Sequence, residues 1–466
     1  MRSLLELSNL KSDISARLFH PTDSGRNELV SFFKGVLHDG RELIKEAHFQ
    51  GCGGLELSRV RSDFIDTVLE SVWSFGCSSF DKDDSEINCS LLAIGGFGRG
   101  ELSPNSDIDL LFVTPTIDTE IHEFTQKVLY LLWDLGLDLG HSVRKISDCI
   151  EISKKDYVSQ TSMLESRLIS GSSSVYSSFL KKMQIFLKKG YKANHLVQRL
   201  KERNERYRNW DPSVYVQEPN IKESAGGLRD YHEIIWIVKA FGYNSLEDIC
   251  ESRSKGVESL KKAIDSYDFL LRIRSQLHFQ SSAKNDVLSF SSQIEAANSL
   301  GYVDSDVTFA GEFLMQDYYR SARNLNSFCK EIFEDLESEV KQRRFFAKKI
   351  TREKIEYGLI WVDRKSISIG EFSENLEDNP NNLMFIFELM YKYSSIFNSD
   401  TRDLIRSSID LVDDSFRSSL EVRESFFRIL NGKTGVARVL HEMHELGFLS
   451  AYIPEFESLN CFVQYD

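Results

Sequence analysis

"LLAIGGFGRGELSPNSDIDLLFV", residues 91–113, is the stretch on which the fold turns. An apolar run leads into glycines at 95, 96, 98 and 100, and Asp107 and Asp109 then stand at the mouth of a second apolar run. Short apolar runs bounded by turn residues predict two buried strands joined through a glycine turn. Strand side chains alternate faces, so Asp107 and Asp109 project from the same face. Carboxylates that close repel one another, and Mg²⁺, which takes one or two carboxylates plus substrate phosphate oxygens, relieves the repulsion. Gly95 and Gly96 let the backbone turn into a helix start whose N–H groups face a phosphate, and Arg99 adds a charge-assisted contact to it. This order of elements points to metal-assisted nucleotidyl transfer. It is neither a Walker A loop, since no Gly-Lys-Ser/Thr follows, nor a dinucleotide fingerprint, since the glycine spacing differs.

Around this stretch, 466 residues predict two to four domains. The composition, 41% apolar and 27% charged, is that of a globular protein. No segment approaches the roughly 18 uncharged apolar residues of a membrane span. The opening "MRSLLELSNLKSDISARLF" carries Glu6, Lys11 and Asp13 among its leucines and reads as an amphipathic helix, not a signal peptide. Seven dispersed cysteines without a zinc pattern suit a reducing compartment, so a cytoplasmic location is expected. A net charge of −14 argues against a general nucleic-acid binder.

Residues 1–85 read as a helical N-terminal region and 86–148 as a nucleotidyltransferase core. The core is built of the strands "INCSLLAI", "DIDLLFVTP" and "LDLGHSVRKI" and the helix "EIHEFTQKVLYLLWDLG". Residues 149–340, "TSMLESRLISG" among them, read as a helical bundle from leucines and aromatics at three- and four-residue steps. Residues 341–466 open on a basic run, "KQRRFFAKKI", read as a solvated helix face, and include a strand-like piece, "YGLIWVDRKSISI", before more helices. The expected class is α+β and mostly α-helical, with a small α/β unit embedded in helical domains. A second motif, "EPNIKESAGGLRD" (218–230), combines a loop demanded by Pro219 and Gly226-Gly227 with a helix start at Arg229-Asp230. It places Lys222 and Arg229 where they meet an anion; the plainer reading is a helix start capped by Asp230.

"GGFGRGELSPNSDIDLLF" resembles the signature of the polymerase-β-type nucleotidyltransferase superfamily, and specifically that of the bacterial PII uridylyltransferase/uridylyl-removing enzymes. Further matches follow in the same order: "GLDLGHSVRKISDCIEISKKD", "TSMLESRLISG", "YVQEPNIKESAGGLRDYHEIIWI", "LLRIRSQLHF" and "FLMQDYYRSARNL". The resemblance implies a polymerase-β-like core, Mg²⁺ on Asp107 and Asp109, and the triphosphate of UTP on Gly95 and Gly96, with Ser106 beside the metal. It implies a tyrosine hydroxyl of the PII signalling protein as acceptor, with release of pyrophosphate. Asp138 stands where the family carries Glu and is the candidate third carboxylate, as metal ligand or base, beside its plain reading as a turn residue. The 218–230 loop is expected to close over the nucleotide. The chain stops at "IPEFESLNCFVQYD", the run ahead of the HD domain in the family, so the uridylyl-removing and glutamine-sensing parts are expected to be absent. His441 and His444, three apart on a helix, read as structural. Two readings stay open: another donor or acceptor, because spacing does not identify base-reading residues, and a nucleotide-binding regulatory module without catalysis, against which the intact aspartate pair weighs.

Overall fold

The computed structural model describes residues 2–17, 22–188, 191–243, 245–252, 257–281, 284–306, 308–345, 353–354, 360–363, 366–369, 376 and 378–456. The chain forms two compact units, residues 1–249 with 260–326, and residues 250–259 with 327–466. Three helices open the first unit, α1 (Arg2–Ala16), α2 (Asp23–Phe49) and α3 (Gly54–Ser78). The glycine–aspartate stretch follows as β1 (Ser90–Ala93), the single helical turn α4 (Gly95–Gly98) and β2 (Ile108–Thr114). Then come α5 (Thr119–Asp134), β3 (Leu139–Lys145), α6 (Ile146–Ser153), α7 (Tyr157–Leu164), β4 (Arg167–Gly171), α8 (Ser173–Lys188) and α9 (Tyr191–Trp210). After a long loop the chain continues through α10 (Leu228–Phe241), α11 (Leu246–Ser252), α12 (Val257–Gln280), α13 (Phe290–Ser299) and α14 (Ala310–Phe345). Helices dominate around one small mixed sheet, as the sequence predicts.

The sheet order is β3-β2-β1-β4, with β1 antiparallel to β2 and β4, and β2 parallel to β3. One strand departs from the sequence reading. "RLISG", taken as helix within "TSMLESRLISG", is β4, paired along the free edge of β1 with Ser90 opposite Gly171. Cross-strand pairing outweighs local helical spacing in so short a segment. The sheet therefore draws a strand from beyond residue 148.

Both faces of the sheet are covered. Leu91, Ala93, Leu110 and Phe112 enter one core with α3 and α5, where Trp73 meets Phe124 edge-on at 4.8 Å. Leu92, Leu111 and Val113 enter a second core with Ile146, Cys149 and Phe179. Burial on both faces is why residues 110–113 show no polar alternation. Asp109 shares the parity of Leu111 and Val113, so the strand's acidic end opens on their face.

The described part of the second unit has a sheet of order β5-β6-β7-β8: β5 (Glu353–Lys354), β6 (Ile360–Asp363), β7 (Ser366–Ile369) and β8 (Ile396–Phe397). The strand-like 357–369 stretch thus appears as β6 and β7, its remaining residues lying outside those described. Of the basic run, 346–350 also lies outside them. Helices α15 (Asn382–Lys392), α16 (Ser399–Ser407), α17 (Asp414–Ser418), α18 (Leu420–Leu430), α19 (Val436–Glu445) and α20 (Phe448–Tyr452) enclose a core with Phe387, Phe397, Met443 and Phe448. No described helix is long and apolar enough to cross a membrane.

The loop ahead of α10 is tied down by Asp230, which is wholly buried. Its carboxylate accepts hydrogen bonds from Arg206 Nη2 (2.5 Å) and Tyr207 Oη (2.7 Å) of α9 and from Gly226 N (2.7 Å) in the loop. Asp230 therefore does more than cap a helix. Its removal leaves the buried Arg206 cation with the more distant Glu233 Oε2, 3.4 Å away, and Asp230→Ala is expected to lower the unfolding free energy by about 3 kcal/mol. Urea unfolding measures this; a loss below about 1 kcal/mol, the worth of an exposed pair, contradicts the anchoring role.

Candidate functional site

A cavity of about 600 Å³ in the first unit is lined by Gly95, Gly96, Arg99, Ser106, Asp107, Asp109, Lys222 and Arg229. That volume suits one medium-sized ligand. Asp138, exposed just ahead of β3, lines instead a second cavity of about 560 Å³ shared with Asp107 and Lys284. Ile108 N donates to Asp138 O at 2.9 Å, which sets Asp138 beside the start of β2.

The aspartates are positioned by backbone on both sides. Gly95 takes φ +60°, and Ile94 N donates to Asp109 O at 3.0 Å, which fixes the turn against β2. A residue with a side chain adopts that φ only at a cost. Across the parallel ladder Asp109 faces Gly140, where a Cβ would stand 2.3 Å from Asp109 Oδ1. Gly140 is thus part of the site, although in sequence it is one more glycine near a turn. The 101–107 loop is clipped from two helices: Leu102 N donates to Ser62 Oγ of α3 at 3.1 Å, while from α12 Arg274 Nη1 donates to Ser103 Oγ at 3.0 Å.

Arg99, expected to meet phosphate, turns its guanidinium into the protein, with 9% of the side chain exposed. Nη1 donates to both oxygens of Glu165 at 2.7 Å and Nε donates to Glu101 Oε2 at 2.7 Å. Two carboxylates already answer its charge. Tyr267 Oη donates to Glu101 Oε2 (2.6 Å) and Trp236 Nε1 to Glu165 Oε1 (2.5 Å). Burial, reinforced by the Arg99 cation, holds His232 well below its ordinary range. The neutral ring can then accept from Arg99 Nη2, 3.1 Å from Nε2. The network braces the glycine turn against α10 and α12.

The cations come from two paired loops. Asn220 and Val287 form an antiparallel bridge, with Ile221 N donating to Asp286 O (2.8 Å) and Leu288 N to Pro219 O (2.9 Å). The bridged segments bring in Lys222 and Lys284. Lys284 Nζ donates to Asp107 Oδ2 at 2.9 Å, and this residue escaped the sequence reading. Nothing local marks it; its partner lies 177 residues away. Lys222 is pushed down to about 8 by burial and by the nearby Arg229 and Arg274. Arg229 lies over the Trp236 ring, 5.4 Å from its centroid, with Nη2 3.2 Å from Glu223 Oε1.

The hydrogen bond from Lys284 holds Asp107 below the usual carboxylate range, whereas burial and the Asp107 charge push Asp109 above it. Among the described residues no group of three or more His, Cys, Asp or Glu side chains is placed to hold a metal ion. The pair offers a hard cation two oxygen ligands, leaving the rest to water or a ligand's phosphate oxygens, which suits Mg²⁺.

Residues 194–333 match the family described as GlnD PII-uridylyltransferase, and residues 370–452 the uridylyltransferase GlnD third domain. A bifunctional uridylyltransferase/uridylyl-removing enzyme of Hydrogenovibrio crunogenus is 31% identical over 95% of the chain and 49% of its own length. Its counterpart in Phenylobacterium zucineum is 31% identical over 98% of the chain and 50% of its own length, and that of Caulobacter vibrioides 30% over 95% and 48%. The chain spans about half the length of the curated relatives it matches. With two domains of one family and relatedness along 95% of its length, the chain belongs to the GlnD uridylyltransferase family.

Proposed function

We propose that this chain transfers UMP from UTP to a tyrosine of the PII signalling protein and releases pyrophosphate, with Mg²⁺ as cofactor. The observation that carries the reading is the convergence of Gly95, Gly96, Asp107, Asp109 and Lys222 on one cavity. Asp107 and Asp109 would hold the metal, which supplies charge to the α-phosphate and to the leaving pyrophosphate. Gly95, Gly96 and Lys222 bind and orient the triphosphate. The tyrosine oxygen forms a bond to the α-phosphorus as the bond to the bridging oxygen of the pyrophosphate breaks. Asp138, which lines a cavity together with Asp107, takes the tyrosine proton. Arg99 acts on the turn through Glu101 and Glu165, not on phosphate.

Incubating the chain with PII, Mg²⁺ and each nucleoside triphosphate in turn, with mass spectrometry of PII, tests donor and acceptor together. UMP addition is expected; AMP addition means another donor, and no addition under any condition means a binding module. Asp107→Asn with Asp109→Asn is expected to abolish transfer of label from [α-³²P]UTP, and undiminished transfer rules out the metal assignment.

Two further outcomes follow from the site's geometry and charge. Gly140→Ala drives the Asp109 carboxylate off its position and is expected to weaken Mn²⁺ binding by about ten-fold, as loss of a metal-orienting contact does, with the thermal midpoint little changed. Unaltered Mn²⁺ binding by electron paramagnetic resonance is the contrary result. Lys222, pushed down to about 8, carries its charge below that pH and loses it above. Triphosphate affinity is accordingly expected to fall as pH rises through about 8, and to stay flat there in Lys222→Arg. Calorimetric titration at pH values on either side reads the difference.

A further inference from the structure

Lys284 stands where two demands meet. Its ammonium lies 2.9 Å from Asp107 Oδ2, a carboxylate of the Asp107–Asp109 pair, and it lines both cavities on which Asp107 borders. The backbone that follows it is held in place. Asp286, two residues on, accepts from Arg274 Nε at 2.7 Å and sits 3.0 Å from His278 Nε2, and its carbonyl takes the bridge hydrogen bond from Ile221. The side chain is not fixed: 44% of it is exposed, and Asp107 is its one carboxylate partner among the described residues. A fixed root and a four-carbon stem let the ammonium swing without moving the loop. An ammonium has three donors and no acceptor, and among acceptors it pairs most strongly with anions. On Asp107 Oδ2 it competes with a divalent ion, because the two cations repel each other at that distance.

Resting on the nucleotidyl-transfer reading above, we propose that Lys284 holds the metal's place on Asp107 in the empty site and moves onto the triphosphate when a metal–triphosphate complex binds. One cation then serves twice. In the empty site it relieves the repulsion between Asp107 and Asp109, and in the loaded site it offsets phosphate charge alongside Lys222. The exchange predicts effects of opposite sign on two ligands. A lysine that merely supported the fold would weaken both when removed.

The test uses Lys284→Met, which keeps much of the stem and loses the charge, and Lys284→Arg, which keeps the charge. Mn²⁺ binding without nucleotide is read by electron paramagnetic resonance, and binding of inorganic tripolyphosphate with Mn²⁺ by calorimetry. In Lys284→Met, Mn²⁺ alone is expected to bind about two- to five-fold more tightly, the scale of a half-exposed ion pair removed from competition. Tripolyphosphate is expected to bind about ten-fold more weakly, the scale of one lost charge-assisted hydrogen bond. Lys284→Arg should return both constants close to those of the parent chain. Mn²⁺ affinity unchanged or weakened in Lys284→Met overturns the placeholder role, and unchanged tripolyphosphate affinity overturns the transfer of the ammonium. If Lys284→Met shows both expected shifts while the parent chain adds no UMP to PII, the uridylyl-transfer reading falls and the exchange stands.

Discussion

Two like charges on one face of a strand, at Asp107 and Asp109, are the constraint to which this part of the molecule answers. Nothing in a sheet core neutralises them, so neutralisation has to be brought in. The parallel neighbour strand makes room through Gly140, the turn before β2 supplies backbone at Gly95, and two distant loops deliver ammonium groups. The two carboxylates differ in surroundings: the hydrogen bond from Lys284 holds Asp107 down, and burial pushes Asp109 up. Residual negative charge in a confined site is what the proposed Mg²⁺ would offset.

Around this centre lies a layer with no evident chemistry of its own. Arg99, Glu101, Glu165, His232, Trp236 and Tyr267 are joined by hydrogen bonds in one network beside the cavity. A buried ion pair contributes little net stability over an apolar core of equal volume, but breaking it is costly. Such a network specifies one arrangement and penalises the others. Here the arrangement specified is the path of the glycine turn, whose groups must be in place before a ligand arrives if its binding is not to be spent on ordering them.

How much of this was legible depends on range. β1, β2, β3 and α5 were readable because their signals lie within each segment: apolar runs, turn residues and helical spacing. The aspartate pair was readable because a strand's period is two. β4 was not, since "RLISG" becomes a strand only by meeting the edge of β1. Arg99 reads locally as a phosphate contact, and its bond to Glu165, 66 residues downstream, has no mark in that stretch. Lys284 and Gly140 have no local signature, and their parts are set by a contact across the chain and by the β2–β3 register. Local chemistry is visible in one dimension, whereas the partner that redirects a charged side chain is a property of the tertiary structure.

The short bridge between Asn220 and Val287 has a consequence for how the site tolerates change. Backbone hydrogen bonds at Ile221 and Leu288 lace the two cation-bearing loops into one piece, so a shift in either is carried to the other. Lys222 and Lys284 are therefore not independent positions, although 62 residues separate them in the chain. Substitutions that disturb either loop draw on the same hydrogen bonds, and their energies will not add. In evolutionary terms the two loops form a single unit of variation: a lineage that remodels one has to remodel the other, or give up the pair of charges together.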